Sequence, residues 1–415
     1  MTLTLADVKL DNDAFAERVP HETFTLMRHE APVHWYDWEW GNGFWCITRW
    51  DDIVAVLKDW RTFSSETGAT ALEDLDPDQL EARQSMLDTD PPEHTRLRAI
   101  VNKGFTPRAV AAYEDLLRDL TRVILDRALP KGEFDFIEEI AKMLPIRVLC
   151  EILGVPQEDN GSLIEWGDKM IANTDPDMGG LHPGSPESAE YRLLPFRSPT
   201  ALELFEYGHR IAAERRKHPK DDLVSKLVTW EDEDGRRLTE REFDTMFLLL
   251  VVAGNETTRQ AIAHGMLALM EQPEQMERLR ADPSLMRTAA DEILRWSSPV
   301  IHFRRTATVD TEVRGVSIGA GDKVVVWLMS GNYDELQFAD PHRFDLARRP
   351  NPHVAFGRGG PHFCLGAHLA KLEVNVMFEE LLPRLGSIEL TGPALRIQSN
   401  FTNALRTMPV RIATA

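Results

Sequence analysis

The stretch "FLLLVVAGNETTRQAIAHGMLAL" sets the strongest limit on what this chain can fold into. Apolar residues recur at three- and four-residue spacing from 242 to 271, which predicts one long helix, apolar enough to be buried. Midway, the run is interrupted by Gly254, Asn255, Glu256, Thr257 and Thr258. Polar residues and a glycine inside a buried helix weaken it, so a local distortion or groove is expected there. The residues alone also admit an ordinary outcome: a threonine bonds back to the carbonyl four residues earlier, and Glu256 pairs with an arginine.

The same spacing marks helices near 113–126, 136–153, 201–217 and 284–296. Strand patterns are short and cluster in "VHWYDWEWGNGFWCITRW" and "RRTATVDTEVRGVSIGAGDKVVVWLM". The expected fold class is mainly α with small β-sheets. A chain of 415 residues can hold two or three domains or one large one. No repeat or Ser/Gly linker divides it. The segment 174–200, dense in Gly, Pro and Ser, is expected to act as a lid, with a disordered surface insertion as the competing reading.

Acidic residues outnumber basic ones, 67 to 47, for a formal net charge of -20. Such a field disfavours bulk nucleic-acid binding. The N-terminal stretch lacks a basic region followed by an apolar run, and no window has the apolar length to span a bilayer. A soluble, cytoplasmic protein is expected.

Three widely spaced cysteines make a disulfide framework improbable. Cys46 and Cys150 sit in apolar runs, whereas Cys364 follows a loop with Gly357, Gly359, Gly360 and Pro361. A helix is expected to begin at or just after Cys364, where unpaired N–H groups favour a thiolate. Several roles stay open on these residues alone. Cys364 could be a nucleophile with His362 or His368 as base, a zinc ligand beside those histidines, a thiolate ligand to haem iron, or an inert structural cysteine.

The chain closely resembles the cytochrome P450 superfamily. The family's haem-binding pattern F-G-x-G-x-x-x-C-x-G is matched, with one extra loop residue, by "FGRGGPHFCLG", carrying Phe356, Gly357, Gly359, Cys364 and Gly366. Its A-G-x-(D/E)-T pattern falls on Ala253, Gly254, Glu256 and Thr257. E-x-x-R falls on Glu292 and Arg295, and the later P-x-R-F, here "PHRF", on Arg343. H-x-x-x-R falls on His94 and Arg98, R-x-A on Arg305, and the histidine two before the cysteine is His362.

The resemblance implies a prism-shaped P450 fold with haem b held between the central helix and the cysteine loop. It makes Cys364 the iron ligand and gives the haem propionates to His94, Arg98, Arg305 and His362, with Arg304 competing for the place of Arg305. Thr257 would hydrogen bond the bound dioxygen and Glu256 relay protons, while Glu292, Arg295 and Arg343 form a structural triad. The activity implied is insertion of one oxygen atom into a C–H bond. A peroxide-driven peroxygenase, against which Glu256 and Thr257 argue, and a non-catalytic haem sensor are the alternatives.

The resemblance spans nearly the whole chain, read as one catalytic domain over 1–415 with no flavin or iron–sulfur module left over. Electrons are therefore expected from a ferredoxin and ferredoxin reductase, docking near Arg98, Lys103, Arg358 and Lys371. The protein is expected to be a monomer. "AGNETTR", "FGRGGPHFCLG" and "NPHVAFG" resemble bacterial members that hydroxylate steroids, terpenoids or methyl-branched lipids. The corresponding pocket residues are Val252, Ala253, Val300, Ile301, His302, Phe401 and Thr402, an apolar lining with a few polar handles.

Overall fold

The computed structural model describes residues 3–172, 175, 178 and 189–415. The long helix is present as Glu240–Glu271. It opens with a capping box: Thr239 accepts from the Glu242 amide at 3.2 Å, and the Glu242 carboxylate accepts from the Thr239 amide at 2.7 Å. Buried residues occupy its whole circumference, as its composition requires. Around it pack the helices Met143–Leu153, Asn160–Ile171, Thr200–Lys217, Met286–Ser297 and Ala367–Leu381. The main hydrophobic cluster is built on this arrangement, and two further clusters lie around a sheet.

The expected distortion at 254–258 is not there, and the helix runs through unbroken. Gly254 serves packing instead. A Cβ at this position would stand 3.2 Å from Leu149, so the glycine lets the Met143–Leu153 helix close in. The helix expected over 136–153 is divided into a π-turn, Ile137–Ala141, and the helix Met143–Leu153. Pro145 accounts for the break, because it has no N–H to give to the Ala141 carbonyl.

The two strand-rich stretches join in one five-stranded sheet. Its order is Val33–Tyr36, Phe44–Ile47, Lys323–Trp327, His302–Ala307 and Phe63–Ser64. Phe44–Ile47 runs parallel to Lys323–Trp327, and the other pairings are antiparallel. Register pairs Arg304 with Val325 and Arg305 with Val324, which sends the two arginine side chains to opposite faces.

About half of the segment expected as a lid, including 179–188, lies outside the described residues. Its described end holds the turn Pro195–Arg197, with Phe196 and Arg197 at φ 55° and 50°, leading into the helix Thr200–Lys217. Among the described residues no helix is long and apolar enough to cross a membrane.

Candidate functional site

The loop before Cys364 turns through Gly357 and Gly359 at φ 67° and 76°, conformations that favour glycine. At Gly360 a Cβ would overlap the Leu57 carbonyl. The close approach these glycines permit is thus to the helix Trp50–Lys58 of this same chain. The space beside Gly366 is open. The Cys364 amide donates to the Phe356 carbonyl at 2.9 Å, and the following helix begins at Ala367 with Gly366 as its cap, three residues later than the thiol. Burial pushes the Cys364 thiol up, against the opposing pull of the Gly366 amide and Arg98. A thiol in this setting needs a cation at the sulfur to become a thiolate.

Zinc finds no support. Among the described residues, no group of three metal-ligating side chains includes Cys364, and His368 is exposed. His362 turns instead to Ser65 Oγ at 3.2 Å and to His94, whose ring centroid is 4.2 Å away.

That contact belongs to a cationic cluster. His94 and Arg98 share one face of the helix Glu93–Asn102. Arg98 Nη1 donates to the Pro361 carbonyl at 3.1 Å, and Arg305 Nη1 to the Arg304 carbonyl at 2.7 Å. Burial, reinforced by Arg98 and Arg305, pushes His94 down to about 4, and burial takes Arg305 down to about 10. Burial and then Arg305, His94 and Arg98 lower His362 as well. Asp88 and Asp90 favour the Arg305 charge from nearby, yet they also accept the amides of Ala69 and Ser65. No carboxylate makes a close ion pair with any of these four groups among the described residues. Donors that repel one another in a buried place and lack an anion match the chemistry of a pair of carboxylates. The two propionates of haem fit this requirement.

Arg304 is engaged elsewhere. Its Nη1 donates to the carbonyls of Ala71 at 3.1 Å and Glu73 at 2.8 Å. Strand alternation therefore settles which of the two neighbours joins the cluster.

On the central helix, Thr257 Oγ1 donates to the Ala253 carbonyl at 3.0 Å. Glu256 accepts from Gln260 Nε2 at 2.8 Å and pairs with Arg259 Nη1 at 3.0 Å, which also reaches Asp168 Oδ1 at 2.6 Å. The acid and the alcohol of the motif point apart in this state. Burial raises the Glu256 pKa against the pull of Arg259.

Glu292 and Arg295 are fully buried and pair through two 2.8 Å contacts. The further arginine at this carboxylate is Arg348, at 3.1 Å, and not Arg343. The Arg343 side chain is exposed, and only its carbonyl takes part, accepting from Arg348 at 2.8 Å. Asn351 and the Asp345 amide complete the carboxylate's partners. The run "ARRPN" carried this information, but the position of an arginine in a loop gives no sign of where its side chain turns.

A cavity of about 510 Å³ opens on the other side of Leu87, which also lines the small hollow beside Arg305 and His362. Trp38, Leu72, Phe196, Leu248, Leu249 and Phe401 supply much of its apolar wall. Of the seven expected pocket residues, His302 and Phe401 line it. Ile301 is instead packed in a core with Trp327, Val252 is buried in the main core, and Val300 and Thr402 bridge to each other. Ala253 is exposed, one turn beyond Leu249. Thr245, Leu248 and Leu249 were legible as the same helical face one turn earlier.

The fold and this site define a haem-thiolate oxygenase. The family model "Cytochrome P450" matches residues 16–388, and the chain belongs to that family. It is similar to a methyl-branched lipid omega-hydroxylase of Mycobacterium tuberculosis, with 39% identity over 98% of this chain and 95% of the relative. A steroid C26-monooxygenase of Mycolicibacterium smegmatis is 37% identical over 96% of this chain and 91% of its own length. Among solved structures, a Mycobacterium marinum cytochrome P450 in complex with pseudoionone superimposes with a TM-score of 0.86 at 41% identity, covering 94% of each chain. The protein is a P450 monooxygenase, and its cofactor is iron protoporphyrin IX.

Proposed function

We propose that this chain, acting as one catalytic domain and a soluble monomer, hydroxylates a hydrophobic small molecule of the steroid, terpenoid or branched-lipid class. The observation that carries the reading is a cationic cluster with no carboxylate ion pair among the described residues, beside the loop that carries Cys364, whose hollow shares Leu87 with a largely apolar cavity of about 510 Å³. The names of the lipid and steroid hydroxylases it resembles support the substrate class.

Haem, when bound, supplies the oxygen-activating redox chemistry. Cys364 would hold the iron through its sulfur as a thiolate, a deprotonation that burial opposes and that the Gly366 amide and Arg98 favour. His94, Arg98, Arg305 and His362 bind the propionates and so recover the charge balance that their burial denies them. Thr257, whose hydroxyl donates to the Ala253 carbonyl, would supply the hydrogen-bonding hydroxyl on the oxygen-binding side. Glu256, whose pKa burial raises against the pull of Arg259, is the acidic group beside Thr257 that would relay protons as general acid. The apolar wall excludes water.

Electrons come from a separate ferredoxin and its reductase. Of the four basic residues expected at the docking face, Lys103 and Arg358 are exposed, and Arg358 lies over Trp50. Arg98 is turned inward, and Lys371 pairs with Asp291 at 2.5 Å, so the surface offered to a partner is smaller than expected. The decisive experiment is a titration of ferric protein with steroids, isoprenoids and branched lipids, followed by turnover with a ferredoxin system. Displacement of the resting Soret band and a hydroxylated product are expected. Absence of any shift across all three classes overturns the substrate reading.

A further inference from the structure

We infer that the substrate carries an uncharged hydrogen-bonding group, a hydroxyl or a carbonyl, which His302 receives at the wall of the cavity. This rests on reading the 510 Å³ cavity as the substrate site.

His302 lines that cavity and is fully buried. It stands between Trp327 and Phe401, with ring centroids 5.1 and 5.4 Å away, both in edge-on contact. Neither ring nitrogen meets a partner at hydrogen-bonding geometry. A buried imidazole always presents one N–H donor and one lone pair, and leaving them unsatisfied costs about 1–3 kcal/mol for each group. A phenylalanine would fill the same aromatic slot at no such cost. The polar ring is therefore explained by something that enters the cavity.

A second orphan lies beside it. Val300 bridges antiparallel to Thr402, and alternation puts His302 and Thr402 on the same face of that strand pair. Thr402 Oγ1 is also buried without a partner. Both groups are neutral hydrogen-bonding groups.

Charge decides the ligand's chemistry. Burial pushes His302 down to about 3; the Asn400 side chain at the same wall is near enough to act in the other direction as a hydrogen-bonding neighbour, although neither ring nitrogen meets it at full hydrogen-bonding geometry. The ring is thus neutral at physiological pH, and no charged group acts on it. An ionised carboxylate at this ring would be desolvated with no free cation to meet it, at several kcal/mol, because the two arginines that line the same cavity, Arg83 and Arg197, are paired with Glu73. A hydroxyl or carbonyl asks only for the hydrogen bonds that His302 has open at the cavity wall. A site built this way discriminates strongly, because a ligand lacking the group leaves the imidazole unpaired.

The test uses four ligands on the farnesyl skeleton: the hydrocarbon, the primary alcohol, the methyl ketone and the carboxylate. Each is titrated into holoenzyme at pH 7.5, and Kd is read from the Soret shift and by calorimetry. The alcohol or the ketone should bind about tenfold more tightly than the hydrocarbon and the carboxylate. His302→Phe should erase that margin and leave the hydrocarbon within about twofold, while His302→Gln, which keeps a donor and an acceptor, should retain part of it. The inference is overturned if the carboxylate binds as well as the alcohol, or if His302→Phe weakens hydrocarbon and alcohol alike. If none of the four binds while the carbon monoxide complex forms normally, the reading of the cavity itself fails.

Discussion

Arg348→Ala is the perturbation that most sharply tests the structural role assigned around Glu292. Arg348 Nε contacts Glu292 Oε2 at 3.1 Å, Nη1 donates to the Ala339 carbonyl at 2.7 Å, and Nη2 reaches the carbonyls of Asp340 at 3.1 Å and Arg343 at 2.8 Å. Charge-assisted bonds of this kind contribute about 1.5–3 kcal/mol each, but they are not additive, and water can replace the exposed ones. The Glu292 carboxylate is wholly buried and keeps Arg295, Asn351 and the Asp345 amide, so its charge is only partly uncovered. About 3 kcal/mol is expected, at the lower edge of what breaking a buried pair costs. Arg343→Ala, at an exposed side chain, should cost less than about 0.5 kcal/mol. Urea unfolding of the holoenzyme, followed by circular dichroism and by loss of the Soret band, measures both. Equal effects from the two substitutions, or a larger one from Arg343→Ala, would refute the assignment and return the triad to its sequence-motif form.

Four further outcomes follow from the site. Reduced Cys364→Ala with carbon monoxide should lack the red-shifted thiolate Soret band, and its persistence would remove Cys364 as ligand. Thr257→Ala should keep consuming reductant while releasing more peroxide and less product, whereas Glu256→Gln should slow oxygen consumption itself; wild-type coupling in Thr257→Ala would move the role to Thr258. His264, half-buried with Nε2 at 3.0 Å from the Asn403 carbonyl, is pushed down to about 3 by desolvation and then by Arg396. The native state holds it neutral while the unfolded chain protonates near 6.5, so its contribution is complete above that pH and declines as pH falls toward 3. His264→Gln should therefore lose less stability between pH 7 and 5 than wild type, read as the change in urea midpoint, and an unchanged difference would count against it. Turnover with a ferredoxin should slow as ionic strength rises and on Arg358→Glu, and indifference to both would dismiss the docking face.

The parts of the molecule that were legible in the sequence are those where one periodicity or one spacing has a single structural solution. Thirty residues of apolar repeat could only become a helix buried all round, and the helix Glu240–Glu271 came out within two residues of its pattern. His94 and Arg98, four apart on a helix, had to share a face, and Arg305 had to point away from Arg304 once a strand was granted. What failed was direction and long-range partnership. Arg343 and Arg348 lie in the same irregular loop, where no period fixes side-chain orientation, so the motif picked an arginine by position and the packing picked another. The pocket failed in the same way: residues adjacent along the strand near His302 were taken together, whereas a strand gives alternate residues to opposite sides, and Ile301 went to the core while His302 faced the cavity.

The glycines before Cys364 show how a correct residue can carry an incomplete reason. A missing side chain permits close approach without saying what approaches, and Gly360 is required by the Leu57 carbonyl of a helix in the same chain, while the open space lies beside Gly366. Pressing the loop onto the helix Trp50–Lys58 fixes the backbone on one side of the thiol. The Cys364 amide is tied to Phe356, and Arg98 is tied to Pro361, the residue before His362, which turns into the cationic cluster. The sulfur and the propionate-binding groups are thereby held by one short segment. A substitution at Gly360 should accordingly loosen the thiolate and the propionate contacts together, although it touches neither.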